Sequence, residues 1–110
     1  MTDEELAGGF AARTLDPAGF GHREHLRVAW LYLRRYGRAE AEARLIAGLR
    51  ALAVRAGRPE KFDEALTRVW VARIAGAAAP LPPDHSFDEL LRSSGGLLDQ
   101  AEVGRIRQTL

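Results

Sequence analysis

The chain has 110 residues and no cysteine. Disulfides, thiolate metal sites and cysteine nucleophiles are therefore excluded, and the fold must stand on its apolar core. Lysine is nearly absent, with Lys61 the sole example among 16 cationic residues; the rest are arginine. The formal charge is only +1, so no strong one-signed field favours nucleic acid or an anionic membrane surface. Long apolar runs are missing too. Val69–Val71 and Gly76–Ala79 fall far short of a membrane span. No stretch alternates with period two for long enough to read as a strand. There is no internal repeat and no phosphate-binding loop, because Gly8-Gly9 and Gly95-Gly96 lack a preceding strand. The opening MTDEEL is acidic and polar, unlike a signal or transit peptide, so a cytoplasmic location is expected.

What is present is helical. The composition, 46% hydrophobic and 28% charged, is that of an ordinary globular chain. One domain is expected over 1–110: an N-terminal helix and loop over 1–18, core helices over 19–79, and a proline-rich spacer with C-terminal helices over 80–110. The expected class is all-α, three main helices in a bundle with short flanking helices.

Thr2 with Glu5 has the spacing of a capping box and starts a weak first helix, Asp3–Arg13, which Gly8 and Gly9 weaken further. Asp16-Pro17-Ala18-Gly19 breaks it. A second helix over Gly21–Tyr36 puts Leu26, Ala29, Trp30, Leu33 and Tyr36 on one face, with His22 and His25 one turn before. Arg23, Arg27, Arg34 and Arg35 fall opposite and, with Arg38, read as a solvated stripe rather than a phosphate-binding one. Gly37 suits a helix C-terminus.

The third helix, Ala39–Ala56, carries Ala41, Leu45, Gly48, Leu49, Leu52 and Ala56, and should pair antiparallel with the second across the short connection. A fourth, Glu60–Ala77, shows Phe62, Leu66, Val69, Arg73 and Ile74 near one face with Trp70 at its edge. Pro80-Leu81-Pro82-Pro83 reads as an extended spacer. Ser86 with Glu89 repeats the capping-box spacing ahead of a short helix, Phe87–Arg92, and Asp99 caps a last one over Gln100–Gln108. The first and last helices bury little alone, and a homodimer would cover them.

The segment Phe20-Gly21-His22-Arg23-Glu24-His25-Leu26-Arg27-Val28-Ala29-Trp30, followed by Lys61-Phe62-Asp63-Glu64-Ala65-Leu66-Thr67-Arg68-Val69-Trp70, resembles a group of small uncharacterised bacterial helical proteins. Those carry F-x-H-x-x-H-L-x-x-A-W and, some thirty residues later, K-[FY]-H-E-T-L-T-x-x-W. The resemblance covers Gly19 to Trp70. It implies a helical fold and a site, and names no reaction. Where the similar sequences have a third histidine this chain has Asp63, and Ala65 replaces the following threonine. A three-histidine site would here be His22, His25 and Asp63.

The residues by themselves leave several readings open. His22 and His25, spaced i, i+3 on a first helical turn, can face one ion. Asp63 from another helix would complete a two-histidine, one-carboxylate set for a divalent metal. That requires the second and fourth helices to run parallel as neighbours. The same residues could line a polar pocket for a small molecule, with Trp30, Thr67, Trp70 and Arg73 as further contacts. A His–Asp pair could act as general base and orienter, with Thr67 or Tyr32 as proton donor. Alternatively both histidines are structural, Trp30, Tyr32, Tyr36 and Trp70 are core, Arg73 snorkels, and the chain is a non-enzymatic interaction or self-association module.

Overall fold

The computed structural model describes residues 1–94. The expected helix over Gln100–Gln108 and the Gly95-Gly96 break lie outside them. Five α-helices occur among the described residues: α1 (Asp3–Ala12), α2 (His22–Tyr36), α3 (Arg38–Arg55), α4 (Glu64–Ala78) and α5 (Phe87–Ser93). Single 3₁₀ turns at Pro17–Gly19 and Pro59–Lys61 precede α2 and α4. The described chain is all-helical. None of its helices is long and apolar enough to cross a membrane.

Both capping boxes form. Thr2 Oγ1 accepts from the Glu5 amide at 3.1 Å while Glu5 Oε1 accepts from the Thr2 amide at 3.0 Å. Ser86 and Glu89 make the same exchange at 3.1 and 3.4 Å. Each pair satisfies amides that a helix start leaves without partners.

Helices α2, α3 and α4 each pack on the other two. Gly37 alone joins α2 to α3. Its φ of 80° and ψ of 175° lie in a region essentially reserved for glycine, not in the left-handed helical well expected at a helix end. That single residue reverses the chain and lets α3 begin at once.

The burial of α2 is broader than its sequence stripe. Leu26, Val28, Ala29, Trp30, Leu31 and Tyr32 are all buried, whereas Leu33 is half-buried and Tyr36 exposed. Cover on the additional side comes from α1, which buries Leu6, Ala7 and Phe10, and from α5, which buries Phe87 and Leu90. Leu6, Ala7 and Phe10 of α1 belong to the common core.

The face of α4 is also rotated from expectation. Leu66, Thr67, Trp70, Val71 and Ile74 are buried, with Val69 and Arg73 only half-buried. Because α4 contacts α2, α3 and α5, a wide face centred on Trp70 serves it better than the narrow stripe through Val69.

The arginines of α2 are not simply solvated. Arg27 donates to Asp3 of α1 at 2.6 Å and to the Met1 carbonyl at 3.1 Å. Arg35 pairs with Glu4. Arg23 pairs with Asp88 of α5 at 3.3 Å and lies over Phe87. Arg34 donates to the carbonyls of His85 at 2.7 Å and Pro83 at 2.9 Å while stacking on Trp30. Exposed pairs of this kind contribute at most about 1 kcal/mol each. Their role is to fix where α1 and the proline-rich segment lie.

That segment is not an extended spacer. Leu81 donates to the Ala78 carbonyl and His85 to the Pro82 carbonyl, so the chain turns twice and returns to α2. His85 is buried, 7% exposed, and its Nε2 accepts from Trp30 Nε1 at 3.0 Å. An indole nitrogen only donates, so Nε2 is unprotonated and Nδ1 donates to the Pro82 carbonyl at 2.7 Å. The third histidine is thus a latch on the core tryptophan.

Two stability predictions follow from this packing. A Cβ built on Gly48 would meet Phe10 Cε2 at 2.2 Å, so Gly48→Ala should destabilise by about 1–3 kcal/mol despite alanine's better helix propensity. A Tm equal to or above that of the parent chain would contradict this. His85→Leu keeps bulk but strands the Trp30 N–H, and should cost about 1–3 kcal/mol in urea unfolding.

Candidate functional site

One cavity of about 360 Å³ opens between α2, α3 and α4. The turn of α2 that carries it starts at Gly21, which extends the chain ahead of His22 and offers no side-chain cap. His22, His25, Leu26 and Ala29 supply the α2 wall. Leu45, Leu49, Leu52 and Ala53 of α3, with its C-cap Ala56, supply the facing wall. Leu66, Thr67, Trp70 and Ile74 come from α4, and Lys61, Phe62 and Asp63 from the segment just before it. The start of α2, the end of α3 and the start of α4 therefore meet at one end of the molecule. Such a meeting requires α2 and α4 to run parallel with α3 reversed between them.

Five of the seven sequence-derived candidates line this cavity: His22, His25, Asp63, Thr67 and Trp70. The other two lie elsewhere. Trp30 faces His85 and Phe87. Arg73 sits over the Trp70 ring at 5.4 Å and is not among the lining residues. The aromatic residues of α2 and α4 do not make one cage either. Tyr32 packs against Phe10 and Tyr36, Arg44 lies over Tyr36, and Trp70 meets His22 edge-on at 4.9 Å.

Each polar lining residue has a distinct local setting. Asp63 is the N-cap of α4, with extended backbone, where it was expected inside the first turn. Its Oδ1 accepts from the Leu66 amide at 3.0 Å, an arrangement that suits a carboxylate at a helix N-terminus. The Thr67 hydroxyl donates to the Asp63 carbonyl at 2.9 Å. That commits its proton to the backbone.

His25 differs. Its ring packs on Phe20 at 4.8 Å between centroids. Among the described residues no group hydrogen-bonds its imidazole. Burial lowers its pKa from 6.5 to about 4, with the neighbouring His22 acting in the same direction. The ring is therefore neutral near pH 7 and offers one donor and one acceptor nitrogen. Burial, rather than the helix end, is the main reason.

Among the described residues, no three His, Asp or Glu side chains group closely enough to hold a metal ion. His22, His25 and Asp63 share a cavity wall without forming a ligand cluster. What the cavity offers is an apolar chamber with polar groups at the end formed by the starts of α2 and α4. Sequence reasoning missed Lys61 as a lining residue and the whole α3 wall. The first is signalled only by its place two residues before Asp63, the second by the Leu45, Leu49, Leu52 stripe. Compared with family models, curated proteins and solved structures, the chain has no match.

The setting of His25 predicts a pH dependence of stability. An unfolded chain binds a proton on His25 below about pH 6.5, whereas the folded one resists it until about pH 4. The contribution of His25 is therefore constant above pH 6.5, falls as pH drops from 6.5 to 4, and levels off below. The total loss is on the order of 3 kcal/mol. Comparing urea unfolding of the parent and His25→Gln across this range isolates it; equal slopes would refute it.

Proposed function

We propose that this protein binds one small, mainly apolar organic molecule in the cavity between α2, α3 and α4, with His25 making the principal polar contact. The observation that carries this reading is the His25 imidazole, uncharged and without a hydrogen-bond partner among the described residues, in the wall of an apolar chamber. The half-buried ring leaves a donor and an acceptor nitrogen that the described residues do not use, and a ligand in the chamber can hydrogen-bond to either. The chamber's size, about 360 Å³, suits a small ligand, since such pockets commonly begin near 300 Å³.

A divalent metal is the second reading, favoured by the convergence of His22, His25 and Asp63 on the same cavity. It asks more of these side chains. Asp63 would have to leave its cap on Leu66 or coordinate with the other oxygen alone.

Fluorescence titration with 1-aminoanthracene, an apolar reporter, tests the first reading. One saturable site per chain is expected. Leu49→Trp, which fills the chamber from α3, should weaken binding by about tenfold or more while circular dichroism stays helical. Non-saturable binding, or unchanged affinity in the filled variant, would reject the pocket. Zinc calorimetry addresses the second: stoichiometric uptake lost in both His22→Ala and His25→Ala would replace the organic ligand with an ion.

A further inference from the structure

Away from the cavity, a buried side-chain hydrogen bond ties the proline-rich return between α4 and α5 to α2. Trp30 Nε1 donates to His85 Nε2 at 3.0 Å, and His85 Nδ1 donates to the Pro82 carbonyl at 2.7 Å. Both side chains sit in residues that are nearly sealed, Trp30 at 5% and His85 at 7% exposure. Phe87 packs on the Trp30 ring at 5.6 Å between centroids, and Leu90, one turn further along α5, is fully buried. Neither His85 nor Trp30 lines the cavity.

Both ring nitrogens of His85 are committed, and neither partner can change its role. An indole nitrogen only donates and a proline carbonyl only accepts. A proton added to the ring therefore has one place to go, Nε2. There it sets a second N–H against the indole N–H, and a hydrogen bond becomes two opposed donors in a buried site. The charged groups around the ring do not answer the added charge. On α2, Arg34 grips the His85 carbonyl and lies over Trp30 at 4.9 Å, while Arg23 pairs with Asp88. Helix α4 packs on α5 and carries Glu64 and Arg68, which pair with each other, and Arg73, which lies over the Trp70 ring. Within the segment itself Asp84, Glu89 and Arg92 are exposed, and Glu89 closes the Ser86 cap. Among the described residues no carboxylate pairs with the imidazole.

We infer that His85 is a proton-operated latch: protonation at Nε2 shifts the proline-rich segment and α5 toward a released state in which Trp30 is uncovered, while α2, α3 and α4 stay packed. The device is independent of what the cavity holds. The Arg23–Asp88 pair that also ties α5 to α2 is exposed and weak. The apolar cover of Phe87 and Leu90 opposes release, so the proton moves a local opening equilibrium rather than unfolding the chain.

Amide hydrogen exchange of the full chain at about pH 8 and about pH 5, on either side of the ordinary histidine range, tests this once rates are corrected for the intrinsic pH dependence of exchange. Protection of α5 relative to α3 should be about tenfold or more lower in the acid sample. The Trp30 indole N–H, followed by NMR, should lose protection in step. His85→Gln offers Trp30 an acceptor oxygen that does not titrate, and should hold the protection of α5 level between the two conditions. Trp30→Phe removes the opposed donor and should do the same with His85 still present. Protection of α5 that does not change with pH in the parent chain would overturn the latch, as would the same acid-induced fall in both variants. A fall shared equally by α2, α3 and α4 would also overturn it, since a global loss belongs to His25. Should neither variant fold, the indole decides: an N–H that stays protected in acid rejects the latch, and one that opens while α3 stays protected supports it.

Discussion

Helix α2 has to satisfy neighbours on nearly every side, and the rest of the structure follows from that demand. Its leucines, Val28 and Trp30 are buried by α1, α3, α4 and α5 together. Burial that complete leaves the indole N–H of Trp30 away from water, and His85 is the acceptor that answers it. The arginines on the remaining strip then reach over the covering segments and hold them by charge and by carbonyl contacts. Apolar area supplies the stabilisation, at roughly 25 cal/mol per Å². The polar ties decide which segment covers which side.

The cavity is a by-product of the same packing. Small and aliphatic residues face inward along the last turns of α3, while Pro17–Gly19 and Pro59–Lys61 turn the chain outside α2 and α4 before each begins. Three helix ends meet there, and the side chains between them, Trp70 and Phe62 included, leave about 360 Å³ open. His25 lies one turn into α2, packed on Phe20, in the wall of that space.

Much of this was readable from residue order. Residue pattern places all five helices of the described residues, and Thr2/Glu5 and Ser86/Glu89 mark two of their starts. The i, i+3 histidines and Asp63 were assigned to one region, and they do share it. Other features depend on contacts between distant segments, which local pattern does not encode. Glu60 looks helical because proline favours a first turn, yet α4 waits until Glu64, after Asp63 has capped it. The arginine stripe reads as solvated because an isolated helix offers it only water. Asp3, Glu4, Asp88 and the Pro83 and His85 carbonyls arrive from 24 to 65 positions away. The proline-rich stretch reads as a spacer because prolines cannot donate. The carbonyls of Pro83 and His85 lie outside any helix ladder and accept from Arg34 instead.

The junction at Gly37 has a mechanical consequence. With one residue between them, α2 and α3 are two rigid arms on a common pivot, and the cavity lies at their free ends. Each arm is about 22 Å or longer at 1.5 Å per residue. A rotation of about 5° at the pivot would separate the tips by about 2 Å. Motion too small to disturb the interlocked side chains near the elbow is thus magnified where a guest would enter.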